Sequence, residues 1–252
     1  MYIDLNKFET IDLSIPLCFS GEQPNAYGVE RATSRPVIAG ELIGDTRRGG
    51  SVNFEQYTFI PHCSGTHTEC VGHITHERIS VRKCLRDVIL RAILVTIEPA
   101  ETDDSGDKVI SAEMLLATLA GNAGRSPALI VRTLPNDDSK LTAAYGEGNV
   151  PAYFAPDAMD FIVEQGVRHL LVDMPSIDRI FDGGQLINHR KFWNVEPGKF
   201  EVSQETRLNN TITEMIYVPS EVADGEYLLN LQIAPFESDC APSRPILLRA
   251  TN

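Results

Sequence analysis

The chain has 252 residues, 42% of them hydrophobic and 23% charged, the composition of a globular protein able to bury a substantial core. A formal net charge of −13 argues against a nucleic-acid partner, which needs a Lys/Arg surface, and predicts repulsion of strongly anionic substrates. With no apolar run long enough for a membrane span, no basic-then-apolar leader and five scattered cysteines, the expectation is a reduced, cytoplasmic protein.

Residues 10–17 alternate apolar and polar and predict a strand stopped by Pro16. Residues 18–50 carry little periodicity and form a surface excursion, a substrate lid or an oligomer arm. Residues 51–60 alternate strictly and predict the strand that delivers the next segment, PHCSGTHTECVGHITH at 61–76. Four of the six histidines lie there, His62, His67, His73 and His76, together with Glu69, Cys63 and Cys70. Imidazole and carboxylate are the donors of catalytic zinc and also suit manganese, so the segment predicts a metal site. If extended, it projects His67 and Glu69 from one face and Thr68 from the other, with His73 folding back beyond Gly72. The pattern is neither the helical H-E-x-x-H nor the paired C-x-x-C of a structural zinc, so a catalytic site with an open position is expected.

Apolar runs at 88–97, 128–134 and 170–174 predict buried strands. Between them lie a helix from Ser111 through Leu119, ended by Gly121, and another from Pro156 to Gly166. This alternation predicts an α/β domain with parallel crossovers. The acidic loop 98–107 lacks the alternation and closing Glu of a calcium loop. His189 falls in a loop, His169 reads as structural, and His76 and Asp173 are expected beside the metal ligands. Strands at 211–218, 227–234 and 246–250 close a single domain spanning 1–252. Glu214, inside the first of these, either binds a cation or points to solvent. Phe19, Tyr27, Phe192 and Trp193 line a pocket or belong to the core.

The stretch GTHTECVGH resembles the H-x-G-T-H-x-D-x-P-x-H signature of the metal-dependent cyclase-like hydrolases, the group that includes bacterial kynurenine formamidase and isatin hydrolase. Three positions depart from it: Glu69 stands for Asp, Val71 for Pro, and the first His is His62, five before His67, while Cys63 is four before. The resemblance implies an α/β fold with a mixed sheet flanked by helices, the swivelling β/β/α arrangement. It also implies one or two divalent ions, zinc or manganese, held by His62 (or Cys63 in its place), His67, Glu69, His189 and Glu214, with His73 as the proton shuttle.

The expected activity is metal-dependent hydrolysis of a small amide, formamide or cyclic amide or ester, C–N bonds other than peptide bonds, on a small-molecule substrate. A cyclase or lyase on the same site, and a non-catalytic metal- or ligand-binding protein, are the alternatives. Family members are commonly dimers or tetramers, so a homo-oligomer is expected, with neither membrane nor nucleic acid as partner.

Overall fold

The computed structural model describes residues 7–102, 105–120 and 125–250. Among them, one mixed sheet is built from β1 (Phe8–Asp12), β2 (His67–Glu69), β3 (Ile89–Ile97), β4 (Ala128–Thr133), β5 (His169–Val172), β6 (Thr211–Glu214), β7 (Gly225–Asn230), β8 (Cys240–Pro242) and β9 (Ile246–Ala250). The order across it is β1-β9-β7-β3-β4-β5-β6-β2-β8. Strands β3 to β6 run parallel, and the strands outside them pair antiparallel.

Helices account for the apolar runs in the middle of the sheet; two single turns, α1 (Pro61–Ser64) and α2 (Val81–Cys84), precede the three that cover it. On one face Ile93, Val95, Leu129 and Val131 pack under α3 (Ala112–Leu119), α4 (Pro156–Glu164) and α5 (Ile187–Trp193), through Leu115, Met159, Ile162, Phe192 and Trp193. The alternate residues Ala92, Leu94, Ala128 and Ile130 meet Ile11, Leu13, Leu229 and Leu247 on the other face. A strand covered on both faces loses its polar alternation, so β3 and β4 read as continuous apolar runs. Each fully buried aliphatic side chain contributes roughly 1.5–3 kcal/mol of transfer free energy.

The local signals at the helix starts hold. Ser111 caps α3 by accepting the Met114 N–H (3.3 Å), and Pro156 opens α4 at a position where no N–H is needed. The expected stop at Gly121 and the acidic pair Asp103–Asp104 lie outside the described residues.

Four strands differ from expectation, the first of them the strand expected at 10–17, which runs from Phe8 to Asp12 and so ends well before Pro16. In 51–60 only Glu55–Thr58 is a strand, and it pairs with Thr33–Pro36 in a two-stranded ribbon apart from the main sheet. Alternation marks a strand but does not say which sheet receives it. The strand expected at 211–218 stops at Glu214, because Met215 turns to φ 53° and sends its N–H to the Met174 carbonyl (3.0 Å). The strand expected at 227–234 is shorter as well, ending at Asn230.

Candidate metal centre

The centre forms around β2, which lies between β6 and β8. His67 and Glu69 share one face of this short strand, while Thr68 on the other face meets the Thr213 hydroxyl at 2.8 Å. Register places Glu214 directly opposite His67, and their side chains converge at 3.4 Å between Nε2 and Oε2. Before β2, Pro61 starts the single turn α1 (Pro61–Ser64), which carries His62 to the cluster. After β2, a 3-10 turn at Val71–His73 folds His73 back over the strand. That turn needs glycine at its centre: a Cβ on Gly72 would stand 2.3 Å from the Ile79 carbonyl oxygen.

His189 lies on α5, not in a loop as the sequence suggested. The helix has no capping side chain of its own at its N-terminus; Leu186 stands there at φ 50°. Asp178 does the work from a distance. Its carboxylate accepts the backbone N–H groups of Asn188 (2.7 Å) and His189 (3.1 Å) and contacts His189 Nδ1 at 2.6 Å.

Together these elements bring all six candidates, His62, His67, Glu69, His73, His189 and Glu214, into one cluster. Glu69 stands at its middle. Its Oε1 lies 3.0 Å from His189 Nε2, and its Oε2 lies 3.5 Å from His62 Nε2 and 3.8 Å from His73 Nδ1. Glu214 Oε1 lies 3.7 Å from His189 Nε2 and also accepts the Ile177 N–H at 3.0 Å. The sequence reading missed Asp239, whose Oδ2 is 3.1 Å from His62 Nε2 and 3.4 Å from His73 Nδ1. No periodicity marks it; only the pairing of β8 with β2 brings it here.

The charges are strongly coupled. Against the burial that favours its neutral form, His73 and His189 pull the Glu69 carboxyl down to about 2. His62 and His73 hold Asp239 far below the usual carboxylate range. Burial opposes a charge on His189, yet Asp178 and Glu69 outweigh it and raise that imidazole well above its ordinary value.

The donors fit divalent ions. His62 Nε2 and His67 Nε2 are buried atoms with no hydrogen-bond partner, although carboxylate oxygens lie close to both. Orphaned buried nitrogens are costly unless something else accepts their lone pairs. His67 Nδ1 donates to the Gly65 carbonyl (3.0 Å) and His189 Nδ1 to Asp178, leaving each Nε2 turned to the cluster, the arrangement of metal-binding imidazoles. The cluster is also half open. The side chains of His62, His73 and Asp239 are 27%, 30% and 24% exposed, whereas Glu69 and His67 are sealed.

Other expectations are corrected here. His76 stacks on Phe200, with ring centroids 5.0 Å apart, and is not part of the cluster. Asp173 pairs with Lys140 at 2.7 Å and with Thr133, tying together the carboxyl ends of the neighbouring strands β4 and β5. Cys63 is buried, its thiol pushed up to about 11 by burial and then by Glu214, while the neighbouring His62 reaches the open half of the cluster. Phe192 and Trp193 are core, and Phe19 packs on Tyr57 and Phe59. Tyr27, near Glu214, sets its ring edge-on to Phe181 at 5.8 Å; both hold positive φ, 63° and 62°. Such backbone strain in bulky residues concentrates at functional sites.

A mixed sheet flanked by helices, with a half-open cluster of imidazoles and carboxylates on its short strand β2, defines an α/β protein built around a metal-compatible centre. The Cyclase family model ("Putative cyclase") matches residues 11–179, and the chain belongs to that family. Over 251 residues the chain is 25% identical to the kynurenine formamidase of Bacillus thuringiensis (strain Al Hakam), covering 95% of this chain and 97% of that one. Among solved structures it is similar to a predicted metal-dependent hydrolase from Bacillus stearothermophilus (TM-score 0.61, 16% identity, 96% of this chain and 98% of that one). It is also similar to an isatin hydrolase bound to the product analogue thioisatinate (TM-score 0.64, 14% identity, 98% and 94%). These structures share the fold.

Proposed function

We propose that the protein is a metal-dependent hydrolase of a small amide, with an aryl formamide or a cyclic amide as the substrate class. The observation that carries this reading is the half-open cluster: sealed donors on one side, solvent-reached imidazoles on the other. A purely structural metal site would be closed on all sides. The kynurenine formamidase relative supports this choice of substrate class, and the isatin hydrolase neighbour shares the fold.

His67, Glu69, His189 and Glu214, with His62 at the open side, would hold divalent ions, zinc or manganese, and ions bound there would supply an acidified water and polarise a carbonyl. Asp178 fixes the ring of His189. His73, at the rim with Nδ1 facing Glu69, takes a proton and returns it to the leaving nitrogen. Tyr27 and Phe181 offer an aromatic surface to a planar substrate. Burial and the charge of Glu214 push the Tyr27 phenol up, so it stays an O–H donor.

The test is formate release from an aryl formamide, and ring opening of isatin, by protein loaded with zinc or manganese. Turnover abolished by a chelator and restored by the ion is expected. Fully loaded protein inert toward both classes would overturn the reading.

A further inference from the structure

Tyr27 is an aromatic residue held in a backbone conformation that aromatic residues avoid. It follows the short strand Asn25–Ala26, which pairs with Ala144–Tyr145 and packs against α1, the turn that carries His62. Tyr27 and Gly28 then take φ 63° and 65°, and the Asn25 side chain closes the turn by donating to the Val29 carbonyl at 3.0 Å. Glycine enters this region freely, but in tyrosine the Cβ crowds the following carbonyl oxygen. What the turn achieves is placement. The ring stands edge-on to Phe181 at 5.8 Å, and the phenol lies beside the Ser176 hydroxyl, on the side of the centre that holds Glu214.

The segment it meets is the one that braces the metal centre. Ile177 gives its N–H to Glu214 Oε1 at 3.0 Å, and Asp178 holds His189 Nδ1 at 2.6 Å. Ser176, buried beside them, accepts the Asp178 N–H on Oγ at 3.2 Å. Its own O–H remains to be given, and the phenol oxygen is at hand to take it. A phenol that accepts from Ser176 keeps its proton for a third group. Tyr27 is 41% exposed, so a molecule entering the open half of the centre can reach it.

We propose that Tyr27 is a catalytic residue, donating its O–H to the carbonyl oxygen of the scissile amide as negative charge develops there, with Ser176 as the residue that positions it. The proposal rests on the reading of the centre as that of an amide hydrolase. Charge growing on that oxygen calls for a fixed donor, and the ionised carboxylates Glu69, Glu214 and Asp239 can only accept. A Lys or Arg in the same place would be drawn into an ion pair with Glu214, whereas a neutral phenol stays available. Its donor is already oriented before the reaction begins, which is what makes such a group worth more than water. The strained turn is the means of that orientation.

The experiment compares wild type, Tyr27→Phe, Ser176→Ala and the double variant, each loaded with zinc or manganese and checked for metal content. Steady-state kinetics are run with formanilide and with isatin. Calorimetry with an aryl phosphonamidate, a tetrahedral anion shaped like the reacting amide, gives a readout independent of turnover. Tyr27→Phe keeps the ring against Phe181 and removes only the donor. Its kcat should fall about 10²-fold with KM and metal content retained, and the phosphonamidate should lose affinity by a similar factor. Ser176→Ala should lower kcat in wild type and add nothing in the Tyr27→Phe background. Wild-type kcat and phosphonamidate affinity in Tyr27→Phe would overturn the assignment and leave a ring that only packs. A raised KM at unchanged kcat would overturn it as well, because such a contact is made equally before and during the reaction. Additive losses in the double variant would remove Ser176 from its positioning role. Fully loaded wild type inert toward both substrates would overturn the hydrolase reading itself, a result seen before any substitution is made.

Discussion

An imidazole with one ring nitrogen anchored has only the other left to work with, and the cluster sorts its histidines by that rule. His67 and His189 give Nδ1 to Gly65 and Asp178, so each keeps Nε2 for the centre. His73 has no such anchor and sits at the rim, its Nδ1 facing Glu69 and Asp239. His73→Ala is therefore expected to keep its metal and lose turnover by about 10²–10⁴-fold, the usual contribution of a positioned acid or base. Parallel assays of metal content and rate decide it; loss of an ion would make His73 a ligand. At this scale the sequence was informative where chemistry was concentrated. The two-residue spacing of His67 and Glu69 already fixed their common face. Asp239 and Asp178 escaped because a carboxylate in an irregular stretch is indistinguishable from a surface one until the chain has folded.

Short elements do most of the positioning. β2 has only three residues, and both its neighbours are needed to hold it. The turn after it is equally constrained. Gly72→Ala places a methyl against the Ile79 backbone, a clash that only a backbone shift relieves. We expect a loss of about 1–3 kcal/mol, as for overpacked sites, with a matching fall in turnover as His73 is displaced. Thermal unfolding and kinetics on the same sample test this, and an unchanged midpoint would show that the turn yields freely. The strands of the central sheet were legible because both faces are apolar. The helix carrying His189 was not, because its start has no capping residue and is instead held by Asp178, ten residues before Asn188. The ribbon at Glu55–Thr58 shows the converse: a clear strand signal whose destination no local pattern contains.

At the scale of the whole molecule, acid should loosen the fold from more than one place. His169 ties β5 to β6 and to Asp87: its Nδ1 meets Thr211 at 2.9 Å and its Nε2 meets Asp87 at 3.0 Å. Burial, only partly offset by Asp87, lowers its affinity for a proton below the ordinary value. In the unfolded chain it titrates near about 6.5. The neutral ring's contribution is therefore complete above that pH and is lost as pH falls toward the lower folded value. Asp87, held low chiefly by His169, adds a further loss only below about 4, where an unfolded Asp takes its proton. Relative to His169→Gln, the wild-type thermal midpoint should lose ground between pH 7 and 5; the raised imidazoles of the cluster, which gain stability in the same window, act on both proteins alike. Calorimetry of the metal-free proteins measures the difference; equal slopes would remove His169 from the account. Among the described residues no helix is long and apolar enough to cross a membrane.

The placement of β2 between β6 and β8 sets an order of events during synthesis. The four histidines of residues 62–76 are translated before the strands that hold β2 on either side, Thr211–Glu214 and Cys240–Pro242. Until those strands emerge, the growing chain carries its chelating segment without the two neighbours that hold it in the sheet. Any ion captured then meets an incomplete and differently shaped set of donors. We therefore expect correct metallation to follow closure of the sheet around β2, with a fidelity that depends on how quickly these two strands dock.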